Sequence, residues 1–140
     1  MVARRERIRH VERARAVGFL TKATEFYEAM QQALTASRWN AVGLTAVHCA
    51  ISACDAVLVH YTEQRSAILD HEEAAQRLAQ LTAVTDAPSK AETLRRILHY
   101  KHSIEYEDRP FEAGEAAHIA KLAERFYLWT REIVPRERTP

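Results

Sequence analysis

The stretch Trp39 to Tyr61, WNAVGLTAVHCAISACDAVLVHY, constrains this chain more than any other. It is long enough for about six helical turns, contains no proline and holds one glycine, Gly43. A surface helix carries one apolar stripe, and this segment carries two. Ala46, Ala50, Ala53 and Val57 line one; Leu44, Val47, Ile51, Cys54 and Leu58 line the other. A helix apolar on most of its circumference must be covered on most of it, and its small residues let neighbouring helices approach closely. The segment therefore predicts the central helix of a bundle, with the rest of the chain as its cover. One narrow stripe stays polar: Thr45, His48, Ser52 and Asp55.

The whole chain suits that role. Its 140 residues make one domain, and 47% apolar residues exclude a disordered chain. Three glycines and four prolines leave little turn chemistry for a many-stranded sheet. The net charge of +1 excludes no partner, but its distribution is uneven. Arg4, Arg5, Arg7, Arg9, Arg13 and Arg15 face only Glu6 and Glu12 among the first fifteen residues. Residues 1–12 thus read either as a basic arm able to contact phosphates or as the solvated, frayed start of the first helix. Cys49 and Cys54 point to different faces of one helix and read as small core residues in a reducing compartment. No apolar N-terminal run or uninterrupted apolar span stands out, so the expectation is a cytoplasmic chain without membrane association.

Helical periodicity continues on both sides of the central segment. A first helix is predicted from about Glu12 to Ser37, with Val17, Leu20, Tyr27, Met30 and Leu34 on its apolar side. The short connection after it makes it antiparallel to the central helix. Thr62 to Leu69 reads as a loop. Asp70 reads as the N-cap of a short helix over 70–83, with Glu72 and Glu73 in its first turn. Ser89 and Glu92 match a capping box opening a helix that runs to Tyr106. A last helix spans 112–134 and stops at Pro135, leaving 135–140 as a tail. The expected fold is all-α: an antiparallel up-and-down four-helix bundle over 13–134 with one short additional helix and no strands.

Two sets of polar residues stand out. In the helix predicted over 89–106, Arg95, His99, His102 and Tyr106 recur at i, i+4, i+7 and i+11, which places them on one face. Arg96 flanks them, and Lys101 and Glu105 interrupt the apolar side. Such a face reads either as a solvated helix surface or as a site for an anion such as phosphate. Arginine offers a planar fork of donors, lysine a point charge, and tyrosine and histidine both stack and hydrogen-bond. The second set is the central polar stripe. An acid such as Asp55 is rarely buried unpaired, and Lys101 or Tyr106 is the expected partner. With His48, it forms either a structural network or a polar pocket between helices. No histidine or carboxylate spacing matches a metal-ligand pattern, and there is no phosphate-cradling glycine loop or nucleophile elbow. No metal and no cofactor are expected.

With these residues in view, the chain resembles the HEPN family of small helical-bundle proteins. The resemblance covers most of residues 13–134. It rests on AVGFLTKATEFYEAMQQAL, RWNAVGLTAVHCAISACDAVL, DHEEAAQRLAQL and LRRILHYKHSIEYEDRPF. It implies an all-α bundle, often a homodimer, that binds nucleotides or RNA. Many members accompany a small nucleotidyltransferase in toxin–antitoxin or defence systems. The family's active branch is a metal-independent endoribonuclease, with an Arg and a following His meeting across a dimer cleft. There the Arg stabilises the phosphate in the transition state and the His serves as acid or base. Arg95 and His102 are the candidate catalytic pair under that reading. The stretch KHSIEY looks more like the non-nuclease branch, with its Lys and its Glu-Tyr pair near the helix end. The resemblance thus implies a nucleotide-, RNA- or partner-binding module, with a ribonuclease toxin as the alternative. Arg96, His99, Lys101, Glu105 and Tyr106 are the ligand-facing candidates, with His48 and Asp55 behind them.

Overall fold

A computed structural model describes residues 8–66 and 71–136. The long helices are α1 (Ala16–Thr35), α2 (Trp39–Thr62), α4 (Ala87–His99) and α6 (Ala113–Ile133). Two short helices, α3 (His71–Ala79) and α5 (Lys101–Tyr106), lie between them in sequence. Helix α2 is the core. Ala46, Ala50, Ala53, Cys54, Val57 and Leu58 are all but inaccessible to solvent, as the two apolar stripes require. By length and composition α2 matches a membrane span, but 72% of its most apolar window is buried inside the fold. Leu44 departs from the expected pattern and stays 42% exposed.

Side-chain ties fix the helix directions. The Asn40 Oδ1 accepts the Phe111 N–H at 2.7 Å, so α2 and α6 start together. The Tyr61 hydroxyl donates to the Ile133 carbonyl at 3.4 Å, so they also end together. Helix α4 runs the other way. Its start is held by Trp129, whose Nε1 donates to Asp86 Oδ1 at 3.0 Å. Its end brings Tyr100 edge-on to Phe111 and His118. Helix α1 reverses into α2 through a tight turn in which Ser37 takes a left-handed φ of 57°. The Arg38 N–H closes that turn on the Ala33 carbonyl at 2.9 Å, the wrap-around bond of a helix C-terminus. Trp129→Phe removes a buried indole's donor from the exposed Asp86 carboxylate. It should lower unfolding stability by about 2 kcal/mol, as chemical denaturation would measure.

Several expected boundaries move. Residues 8–10 are neither free arm nor frayed helix. They form strand β1 (Ile8–His10), paired antiparallel with β2 (Gln64–Ser66), where a loop was expected. The reason lies at the end of α2, where Glu63 adopts a left-handed φ of 55° and turns the chain back. The Glu63 carbonyl accepts the Val11 N–H at 2.8 Å, and its carboxylate accepts the Arg13 N–H at 3.2 Å. Arg13 then donates from Nε to the His60 carbonyl at 2.6 Å. A single 3-10 turn, Arg13–Arg15, leads into α1. Asp70, the expected cap of α3, lies outside the described residues, as do Arg4, Arg5 and Arg7. Helix α3 ends at Ala79, short of the expected 83.

Helix α4 starts two residues before Ser89, with Pro88 in its first turn, where a proline's missing N–H costs nothing. Ser89 therefore donates to the Asp86 carbonyl at 2.9 Å and does not cap. A reciprocal capping box forms instead at α6, between Glu112 and Glu115. Arg109 grips the Glu115 carboxylate with both terminal nitrogens, at 2.8 and 3.0 Å.

Candidate functional site

The helix expected over 89–106 is not continuous. It breaks at Tyr100, whose N–H bonds back to the Ile97 carbonyl at 3.1 Å and tightens the turn. No proline or glycine causes this break. The Tyr100 ring, wedged at right angles to Phe111 with centroids 5.7 Å apart, holds the chain there. The four-residue face Arg95, His99, His102, Tyr106 is therefore divided between α4 and α5.

Arg95 turns toward α3. Its Nε donates to Glu72 Oε1 at 2.9 Å, and Nη1 lies 3.5 Å from Glu92 Oε2. The Glu72 carboxylate holds its guanidinium above its already high ordinary pKa. Arg96 and His99 are exposed on the outer side of α4. Beyond the break, the short helix α5 divides into two sides. Lys101 and Glu105 form an ion pair at 2.8 Å, each side chain only 22% exposed. The Lys101 ammonium, with His48 nearby, draws the Glu105 carboxyl below its ordinary range. His102 and Tyr106 take the outward side, their rings tilted against each other with centroids 5.4 Å apart. Tyr106 is 71% exposed, the most exposed of the large hydrophobic side chains.

The position of α5 is set by the one glycine of α2. A Cβ on Gly43 would sit 2.9 Å from Ile104 Cδ1 and 3.1 Å from Phe111 Cε2. Glycine at 43 lets α5 and the following loop lie directly on the α2 backbone. A six-residue helix has no stability of its own, so this contact and the Lys101–Glu105 pair hold the His102–Tyr106 side in place.

The central polar stripe does not open into one pocket. Thr45 satisfies itself on the Ala41 carbonyl at 2.6 Å, and His48 packs against Phe26 with centroids 5.4 Å apart. Asp55 pairs with neither Lys101 nor Tyr106, as expected from sequence, but with Arg65 of β2, whose Nη2 lies 3.3 Å from Oδ2. Lys101 is taken by Glu105, and Tyr106 faces solvent. Burial pushes the Asp55 carboxyl up to about 6, against the pull of Arg65, Lys22 and Arg77. The cavity beside it, about 10 Å³, has room for roughly one water molecule. It is not a ligand pocket.

Burial also raises both thiols, Cys49 to about 12 and Cys54 further, so neither serves as a nucleophile near neutrality. Among the described residues, no three His, Cys, Asp or Glu side chains converge as a metal site would need. The structure thus brings Arg96, His99, His102 and Tyr106 to the outer surface of α4 and α5. Lys101 and His48 are half-buried, Glu105 is paired with Lys101, and Arg95 and Asp55 are held by Glu72 and Arg65. Sequence reasoning missed Glu72 and Arg65 as the partners that claim those two residues. Neither contact leaves a spacing signal, since both bridge separate elements.

A family model described as HEPN domain matches residues 16–133. The chain belongs to the HEPN domain family, and at family level it is a nucleotide- or RNA-related module. No curated protein and no solved structure matches it.

Proposed function

We propose that this HEPN domain binds a nucleotide or a single-stranded RNA segment on the outer surface of α4 and α5 without cleaving it. The observation that carries this reading is the exposed His102–Tyr106 ring pair. A tyrosine left 71% exposed beside a tilted imidazole offers a face on which an unpaired base can stack. In this reading Arg96 and His99, exposed one to two turns earlier, donate to the adjoining phosphate. Arg95 supports the non-catalytic reading, because its Nε and Nη1 already serve Glu72 and Glu92. In the same reading, the four long helices form one up-and-down bundle over 13–134. The domain works as a homodimer in the cytoplasm, in a toxin–antitoxin-type or defence system, beside a nucleotidyltransferase-type partner.

An RNA cleavage assay with chelator present tests the non-catalytic part. Wild type and His102→Ala should both leave the RNA intact. Cleavage by wild type that disappears in His102→Ala would make the protein a metal-independent ribonuclease instead. In a fluorescence-anisotropy titration with a short single-stranded oligoribonucleotide, Tyr106→Ala should weaken binding about tenfold, the worth of one lost stack.

A further inference from the structure

At the opposite end of α2 lies a second, unrelated concavity. It is about 350 Å³ in volume, lined by Arg9, Arg15 and Arg65 with His10, and floored by Phe19. Its lining holds three arginines and one acidic residue, Glu12. Asp55, which Arg65 contacts at the edge of this hollow, is twelve residues along α2 from Gly43, which puts the site roughly 18 Å from the place where α5 lies on α2. The two do not overlap.

The arrangement of the arginines is unfavourable as it stands. In the β1–β2 ladder, Arg9 is the direct cross-strand partner of Arg65. Like charges directly opposite each other destabilise a strand pair. Arg65 spends its inner edge on Asp55 and lays its guanidinium over the Phe19 ring, 4.8 Å from the centroid. Its Nε is buried and finds no hydrogen-bond partner among the described residues. Arg15, exposed on the 3-10 turn, faces the same hollow and has no ion pair among the described residues. Two opposed arginines and a third beside them describe a site for an anion with several oxygens. Phosphate groups meet this need, since each accepts from more than one guanidinium at once. The volume admits more than one of them.

We propose that the hollow between β1, β2 and the start of α1 is a binding site for a ligand with two or more neighbouring phosphate groups. A nucleoside polyphosphate and an RNA backbone share that chemistry. The site acts through Arg9, Arg15 and Arg65, and it does not depend on the α4–α5 reading.

Isothermal titration of the full chain with inorganic tripolyphosphate tests this. One saturable site should appear and weaken as salt is raised. Arg9→Gln and Arg15→Gln, both at exposed side chains that leave Asp55 paired, should each weaken binding about tenfold. Lys121→Gln removes the same charge from the exposed side of α6 and should leave binding unchanged. No saturable binding, or an equal loss in all three variants, would overturn the site. A competition arm then separates the sources. Displacement of tripolyphosphate by an oligoribonucleotide with a 5′-hydroxyl assigns the site to backbone phosphates. Displacement by adenosine triphosphate alone assigns it to a nucleoside polyphosphate.

Discussion

Arg65→Ala should destabilise the fold by about 3 kcal/mol at pH 7.5, and much of that loss should disappear by pH 5. Asp55 is the reason. Its carboxyl sits on the core helix with the side chain only 13% exposed, and Arg65 is its one ion-pair partner among the described residues. Removing one member of a buried pair leaves a charge without compensation. The pH dependence has a definite sign. Burial raises the Asp55 carboxyl in the folded protein to about 6, from an ordinary value of 3.8. The folded state therefore holds this proton more tightly than the unfolded chain does. The contribution favours folding fully below pH 4 and is lost as pH rises through 6. In wild type the ionised carboxylate already costs roughly 3 kcal/mol at neutral pH. Without Arg65 the carboxyl moves higher still, and the neutral-pH penalty grows. Asp55→Asn should then be at least as stable as wild type at pH 7.5, with a flatter pH profile. Arg65→Ala combined with Asp55→Asn should recover most of what Arg65→Ala loses. Denaturant unfolding of the four proteins at pH 5 and 7.5 forms a double-mutant cycle that isolates the pair. An Arg65→Ala loss that does not change with pH would show that Arg65 stabilises through its stack on Phe19 and not through Asp55.

Gly43→Leu should cost about 2 to 3 kcal/mol and, more tellingly, should displace α5. Even a Cβ at this position meets Ile104 and Phe111 closer than ordinary contact allows. A leucine side chain has nowhere to go without moving the segment that covers it. Gly43→Ala is the graded control. Alanine gains up to about 1 kcal/mol of helix propensity, which offsets much of a clash that the mobile end of Ile104 can partly relieve. The leucine variant should also lose oligonucleotide binding, because His102 and Tyr106 ride on α5, while the distant arginine hollow should keep its affinity for tripolyphosphate. Circular dichroism during thermal unfolding measures the first effect and the two titrations the second. Unchanged oligonucleotide binding in Gly43→Leu would mean that the ligand surface does not rest on α5.

The mostly helical character of the fold was legible in the sequence because its signal is long and periodic. Two apolar stripes over more than twenty residues can mean only a covered helix, and the buried residues of α2 follow them almost throughout. The β1–β2 ladder was invisible for the opposite reason. IRH and QRS are three-residue strands without alternation, and they pair because Glu63 turns the chain, not because of their own composition. The break at Tyr100 was hidden too. The run from Ala91 to Tyr106 contains no helix breaker, and the cause is tertiary packing of an aromatic ring. His99, His102, Tyr106 and the flanking Arg96 are exposed, as a polar helix face requires. The partners that claim Arg95 and Asp55, Glu72 and Arg65, come from elements remote in sequence and leave no pattern to read.

The most direct measurement is an amide-resolved NMR titration of the labelled protein with a short single-stranded oligoribonucleotide at moderate salt. Binding at the α4–α5 surface should shift the amides of residues 96–106 first and saturably, and Tyr106→Ala should raise the concentration at which those shifts saturate about tenfold while leaving the spectrum folded. Shifts confined to residues 8–15 and 64–66 would place RNA in the arginine hollow alone. No saturable shift in residues 96–106 would contradict the proposed ligand surface.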